Sequence, residues 1–241
     1  MSRRAAIVIG AGDALGGAIT RRFAAEGLVV VPSRRKIKPL GELVAEIEAE
    51  GGEAEGIPCD ARNEDEVIRL FDRVETEIAP VEVLVFNVGA QHRSSVLAMT
   101  SKIYRQVWES AAFAGFLCGR EAARRMVERG RGTIIFTGAT ASVRGSASFA
   151  SFASAKHALR ALAQSMAREL GPQGIHVGHI IVDGMINSVA VRSKFPEEIS
   201  KLPEGGLLDP AHLADAFWSM HMQPRDTWTF EMDIRPFVEN W

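Results

Sequence analysis

The chain has little of several residues that commonly carry chemistry. It holds one tyrosine, Tyr104, and two cysteines, Cys59 and Cys118. Two isolated thiols exclude a disulfide framework and a cysteine-based metal cluster. The six histidines are scattered without ligand spacing, so no metal site is expected. No apolar run reaches the roughly 20 residues needed to cross a bilayer. Met1, Ser2, Arg3 and Arg4 lead directly into a strand pattern rather than a signal peptide, so a cytoplasmic protein without a membrane partner is expected. Neither sign of charge dominates, and a net charge of −2 argues against a general nucleic-acid binder.

What is present suits one α/β domain: 241 residues, 46% hydrophobic and 24% charged. The chain is organised around its first segment. The apolar run 5–9 fits a strand buried on both faces. A loop carrying Gly10, Gly12, Asp13 and Gly16 follows, and then Leu15, Ile19 and Phe23 at helical spacing, stopped by Gly27. A strand, a glycine turn and a helix N-terminus leave bare backbone N–H groups at the positive end of a dipole. The usual guest there is a dinucleotide pyrophosphate.

Further strands are expected at 28–32, 54–58, 81–86, 133–137, 175–182 and 227–234. Helices are expected at 40–50, 64–78, 149–170 and 210–220, with one or two long helices over 100–128. There is no repeat or linker, and the alternation implies a doubly wound parallel sheet in a single domain over 1–241. The second strand ends in Ser33, Arg34, Arg35, Lys36 and Lys38, with no acidic residue. A strand end in this place lies beside an adenosine ribose, where an acid suits a 2′-hydroxyl and arginine a 2′-phosphate, so NADP(H) is favoured over NAD(H). Asp13 is a counter-signal, because it would repel a phosphate. Asp60, followed by Ala61, falls at a strand C-terminus, where it can accept from an adenine amino group or serve a turn or helix cap. Asn87, Val88 and Gly89 end the fourth strand, and His92 in the following loop is a candidate acid or base. Residues 189–208 lack strong periodicity and are read as a substrate lid. Phe237, Val238 and Trp241 make an apolar tail expected to dock on a neighbouring chain or on the lid. Phe149, Phe152, Met185 and Phe195 suggest an apolar small-molecule substrate.

Over nearly its full length the chain resembles the short-chain dehydrogenases/reductases, which have a Rossmann-type fold. Gly10, Ala14 and Gly16 resemble that family's glycine loop, with Ala14 in place of its middle glycine. Asp60 matches the adenine-contacting aspartate, and Asn87-Val88-Gly89 the Asn-Ala-Gly element. Lys156 matches the lysine that holds the nicotinamide ribose. Asp183-Gly184, with Ile186 and Ser188, resembles the Pro-Gly element that contacts the carboxamide. The resemblance implies cofactor contacts at these positions and at Gly12, Asp13, Leu15, Arg34, Arg35, Ala61 and Val88. It also implies a homodimer or homotetramer built on the two long helices.

The catalytic set departs from the family. Its tyrosine, four residues before the lysine, falls on Phe152, and its serine on Ala139. Its helix asparagine falls on Ala111 or Ala112, leaving Lys156 alone of the tetrad. The shifted spacing of some enoyl reductases would put the tyrosine at Phe149, also without a hydroxyl. Phenylalanine and alanine can neither give nor take the proton on a substrate oxygen. Three functions are open. The first is an NADP(H)-dependent oxidoreductase whose proton comes from His92, Ser151, Thr140, Ser142, Asp183 or water, or whose substrate needs little acid help. The second is a non-redox enzyme on the same scaffold. The third is a catalytically inactive cofactor-binding subunit.

Overall fold

The computed structural model describes residues 3–240. Met1, Ser2 and Trp241, and with them part of the expected apolar tail, lie outside the described residues. The strands are β1 (Ala5–Ile9), β2 (Val29–Ser33), β3 (Glu53–Ala54), β4 (Val81–Phe86), β5 (Gly132–Ala139), β6 (Ile175–Val182) and β7 (Glu231–Ile234). They form one parallel sheet in the order β3-β2-β1-β4-β5-β6-β7. The expected doubly wound sheet is therefore observed. The order reverses between β1 and β4, and both strand ends point into the same crevice, where open α/β sheets bind ligands.

Each face of the sheet is covered by helices. α1 (Leu15–Ala25), α2 (Lys38–Ala49) and α9 (Pro210–His221) bury Ile19, Phe23, Leu43 and Phe217 against one face. On the other, α3 (Glu64–Arg73), α5 (Ala114–Arg129) and α6 (Ala150–Leu170) bury Phe71, Leu117, Leu159 and Met166. The central strands are apolar along their length because both of their faces are covered.

Two strands differ from the sequence expectation. The third strand shrinks from 54–58 to two residues. Glu55, Ile57 and Cys59 still donate to the carbonyls of Val30, Pro32 and Arg34, but Pro32 has no N–H to return, so the two-way ladder stops there. The last strand loses 227–230, because Gln223 captures that stretch: its amide oxygen accepts from Thr229 N at 2.7 Å and its carbonyl from Trp228 Nε1 at 3.3 Å. Of the one or two helices expected over 100–128, the structure has two, α4 (Ser101–Trp108) and α5, joined by a π-turn, Glu109–Phe113, which contains Ala111 and Ala112. The lid region folds as two short helices, α7 (Val189–Lys194) and α8 (Pro196–Ile199). Its neck is closed by Asn187 N donating to Leu208 O at 2.8 Å and Leu208 N to Met185 O at 2.9 Å. No helix among the described residues is long and apolar enough to cross a membrane.

Candidate functional site

Two clefts open at the carboxyl ends of the strands and share Asn87, Val88 and Gly89. The first, about 750 Å³, is lined by Gly10 and Gly12 after β1, by Arg34, Arg35 and Lys36 after β2, and by Asp60, Ala61 and Arg62. The glycine loop is held by its neighbours. Gly10 has φ +85°, and a Cβ there would strike the carbonyl oxygen of Asn87. Asn87 pins the loop in return, its N donating to Ile9 O at 2.8 Å and its Nδ2 to Gly10 O at 3.3 Å. Gly16 lets α1 approach the loop, because a Cβ there would strike Gly10 O. A Cβ at Gly12, by contrast, would meet nothing within 4 Å. α1 has no side-chain cap and no acid in its first turn. That combination leaves an open backbone cradle at a positive helix end.

Asp13 does not line this cleft. Its carboxylate is 91% exposed and lies 3.3 Å from Arg34 Nη1, an exposed pairing of small worth. Asp60 serves the turn before α3. It stands in the cleft wall, and its carboxylate accepts from Arg62 Nε at 2.9 Å and Nη2 at 2.5 Å and from Arg62 N at 3.2 Å. The Arg62 guanidinium holds the Asp60 carboxyl below its ordinary range. The cap of α3 falls instead to Asn63, whose side chain accepts from Asp65 N and Glu66 N.

The second cleft, about 520 Å³, has walls of Leu15, Ala139, Phe149, Phe152, Gly184, Met185, Ile186, Val191 and Phe195, with Lys156 at its floor. The Lys156 ammonium donates to Thr137 O at 2.7 Å and Val88 O at 3.2 Å. Its Nζ lies 5.9 Å from the Phe152 ring centroid. Both bonded partners are neutral, and burial pushes the lysine pKa down to about 8. Ala139 and Phe152, the two positions expected to lack hydroxyls, thus face the same cleft as Lys156. Ala111 and Ala112 are buried against Ala155 behind it.

The candidate proton donors separate. Thr140 lines the second cleft, but its hydroxyl donates to Asp183, so its oxygen faces the cleft as an acceptor. Ser142 and Ser151 are fully buried and do not line it. His92 belongs to a neighbouring hollow of about 340 Å³ with Arg35, Arg62 and Gln106, and it is not on the wall around Lys156. Ser188 lines neither cleft, and its Oγ instead caps α7 by accepting from Val191 N at 3.2 Å.

Sequence reading missed Arg144 and Gln91, which line the second cleft, and a polar cluster behind its wall. In that cluster Arg160 donates to both oxygens of Glu231 at 2.6 and 2.7 Å, and His179 Nδ1 meets Glu231 Oε2 at 2.9 Å. Burial pushes the His179 pKa down to about 4, so the ring is neutral and carries its hydrogen on Nδ1, facing the carboxylate. The signal was available: a histidine inside the apolar run of β6 must find a partner.

The model of the short chain dehydrogenase family matches residues 4–199. A 3-oxoacyl-[acyl-carrier-protein] reductase, MabA, of Mycobacterium avium is 31% identical over 191 residues, covering 79% of this chain and 70% of the relative. A solved short-chain dehydrogenase from Rhodopseudomonas palustris is 47% identical and superposes with a TM-score of 0.84 over 97% of this chain and 99% of its own. A metagenomic short-chain oxidoreductase solved in complex with NADP is 26% identical, with a TM-score of 0.84 over 99% of both chains. With its doubly wound sheet, its glycine-loop cleft and these likenesses, the chain belongs to the short-chain dehydrogenase family.

Proposed function

We propose that this protein is an NADP(H)-binding oxidoreductase of the short-chain type whose substrate proton is not handled by a tyrosine–serine pair. One observation carries the reading. A cationic cleft under a bare helix end runs, through Asn87–Gly89, into an apolar cleft floored by a buried lysine and facing phenyl and methyl groups. The open cradle at Gly12 suits a pyrophosphate, which needs backbone donors and no side chain in the way. Arg34 and Arg35 suit a 2′-phosphate, since guanidinium groups bind phosphate oxygens in pairs. The weak contact between Asp13 and Arg34 yields to such a group.

When bound, a nicotinamide cofactor supplies the two-electron chemistry. The chain's own residues do the rest. Lys156 would offer the N–H left over from its two carbonyl bonds to a ribose hydroxyl, and Gly184 and Ile186 would help to hold the nicotinamide end. The phenyl groups of Phe149, Phe152 and Phe195 exclude water and select an apolar small molecule. With Thr140 turned toward Asp183, the side chains of this cleft leave a developing alkoxide poorly served. The substrate class that fits is one needing little acid help, such as an imine or an activated alkene. The exposed ring of Phe116 and the half-buried ring of Phe113, on the long helices, fit assembly as a homodimer or homotetramer.

Titration with NADPH and NADH, followed by nicotinamide fluorescence, tests the binding half. Tight NADPH binding with weaker NADH binding is expected, and no binding of either refutes the proposal. A panel of ketones, imines and activated alkenes tests the second half, and brisk turnover of ordinary ketones by the unmodified chain refutes it. NADPH binding with no turnover of any substrate class favours a cofactor-binding subunit, the reading that Ala139 and Phe152 would then support.

A further inference from the structure

Lys156 has a second chemical capacity. Its amine is at the floor of an open cleft, its hydrogen-bond partners are two neutral backbone carbonyls, and an aromatic ring rather than a hydroxyl stands one helical turn before it. We propose that Lys156 is a carbonyl-capturing amine, which forms an imine with an apolar aldehyde or ketone entering the cleft when no cofactor is bound. The proposal rests on the reading that this cleft admits a small apolar molecule.

The geometry supports it in three ways. First, a neutral amine uses its two N–H groups on Thr137 O and Val88 O, which leaves its lone pair free to attack. Second, nothing bonded to it is anionic, so nothing there holds the proton on. The charged groups around the cleft are Arg144 on its wall and, behind it, Asp183 with Thr140 and Arg235, and Glu231 with Arg160 and the neutral His179. A lysine desolvated in this way is nucleophilic near neutral pH, and its pKa of about 8 agrees. Third, the walls suit the carbonyl's apolar substituents.

The reaction balances without a redox partner. The nitrogen lone pair forms the C–N bond, both amine hydrogens pass to the carbonyl oxygen by way of solvent, and that oxygen leaves as water. At neutral pH the imine takes one proton from solvent. Its single N–H keeps the 2.7 Å bond to Thr137 O and gives up the longer one to Val88 O.

The test treats the full cofactor-free chain with hydrocinnamaldehyde and cyanoborohydride from pH 6 to 11 and maps reduced adducts by peptide mass spectrometry. Lys156 is expected to be labelled about tenfold faster at pH 7.5 than Lys36, Lys38, Lys102, Lys194 and Lys201. That order follows because lowering a lysine pKa to about 8 leaves far more neutral amine at that pH. Its rate should be half-maximal near pH 8. The K156R variant, checked for folding by circular dichroism, should lose that adduct alone. Labelling of surface lysines only, or of Lys156 only as the pH approaches 10, overturns the proposal. NADPH titration of the same preparation separates the two readings. Binding without an adduct sinks imine capture and leaves the oxidoreductase standing. An adduct without NADPH binding does the reverse. Where both occur, bound NADPH should suppress the adduct.

Discussion

The two clefts that meet at Asn87–Gly89 differ in almost every physical respect. The first is polar, built from glycine backbone and three consecutive cations, and its glycines are locked by direct contact with Asn87 and with each other. The second is walled by phenyl, methyl and aliphatic groups around one buried amine. They stand largely on different elements, β1 and β2 for the one and β5, α6 and the segment 184–195 for the other. On the proposed function, ligand grip and proton handling are therefore separable within one fold. Side chains in the second cleft can change without loosening the glycine loop of the first.

That separation can be broken by returning hydroxyls to the second cleft. The double variant Phe152→Tyr with Ala139→Ser is expected to raise reduction of a small ketone by about 10² or more, since a positioned general acid is worth roughly 10²–10⁴. The readout is NADPH consumption, and a folded double variant with no gain would mean that the clefts differ in more than their hydroxyls. The reverse change sharpens the contrast. Replacing Arg34 and Arg35 with alanine should weaken NADPH about a hundredfold and leave NADH nearly untouched, by fluorescence titration, because two charge-assisted bonds to a phosphate are lost. Equal loss for both nucleotides would move the arginines away from the 2′-position.

Smaller effects concern stability. Lys156 titrates near 8 in the folded chain, below its unfolded value, so the unfolded chain binds that proton more tightly. The lysine thus costs stability at all pH below about 8, and the cost fades as pH rises toward the unfolded value. K156M should raise stability at pH 7 by about 1 kcal/mol after the lost carbonyl bonds are counted, and by less near pH 10, in denaturant melts. The Glu231 carboxyl is held below its ordinary range, first by Arg160 and then by His179 after the opposing effect of burial, so it stabilises above its unfolded value and loses this as pH falls. His179 acts in the same direction, since its folded value of about 4 lies below its unfolded one and stability falls from pH 6.5 toward 4. Glu231→Gln should lower stability at pH 7 by about 1 kcal/mol and flatten the acid-side decline.

Much of this was legible in the chain. The fourth and sixth strands, 81–86 and 175–182, lie where the apolar runs put them, because burial on both faces leaves no ambiguity. The glycine loop was legible because the close backbone approaches at Gly10 and Gly16 restrict residue type. The edges were not. β3 depends on a hydrogen that Pro32 lacks, and residues 227–230 are claimed by a glutamine side chain, a competition invisible in periodicity. His92 shows the limit at the site. Its loop is adjacent in sequence, but the ring stands in another hollow beside Arg35. Ser188 caps α7 through Val191 N, a local role that the weak periodicity of 189–208 did not reveal.

Pro32 has one more consequence. Because it cannot donate, the strip carrying Glu55, Ile57 and Cys59 hangs from the sheet by acceptor carbonyls alone beyond Ala54. The cleft wall at Asp60–Arg62 thus follows a strip joined to the sheet by a one-sided seam, with no second row of hydrogen bonds to fix its tilt.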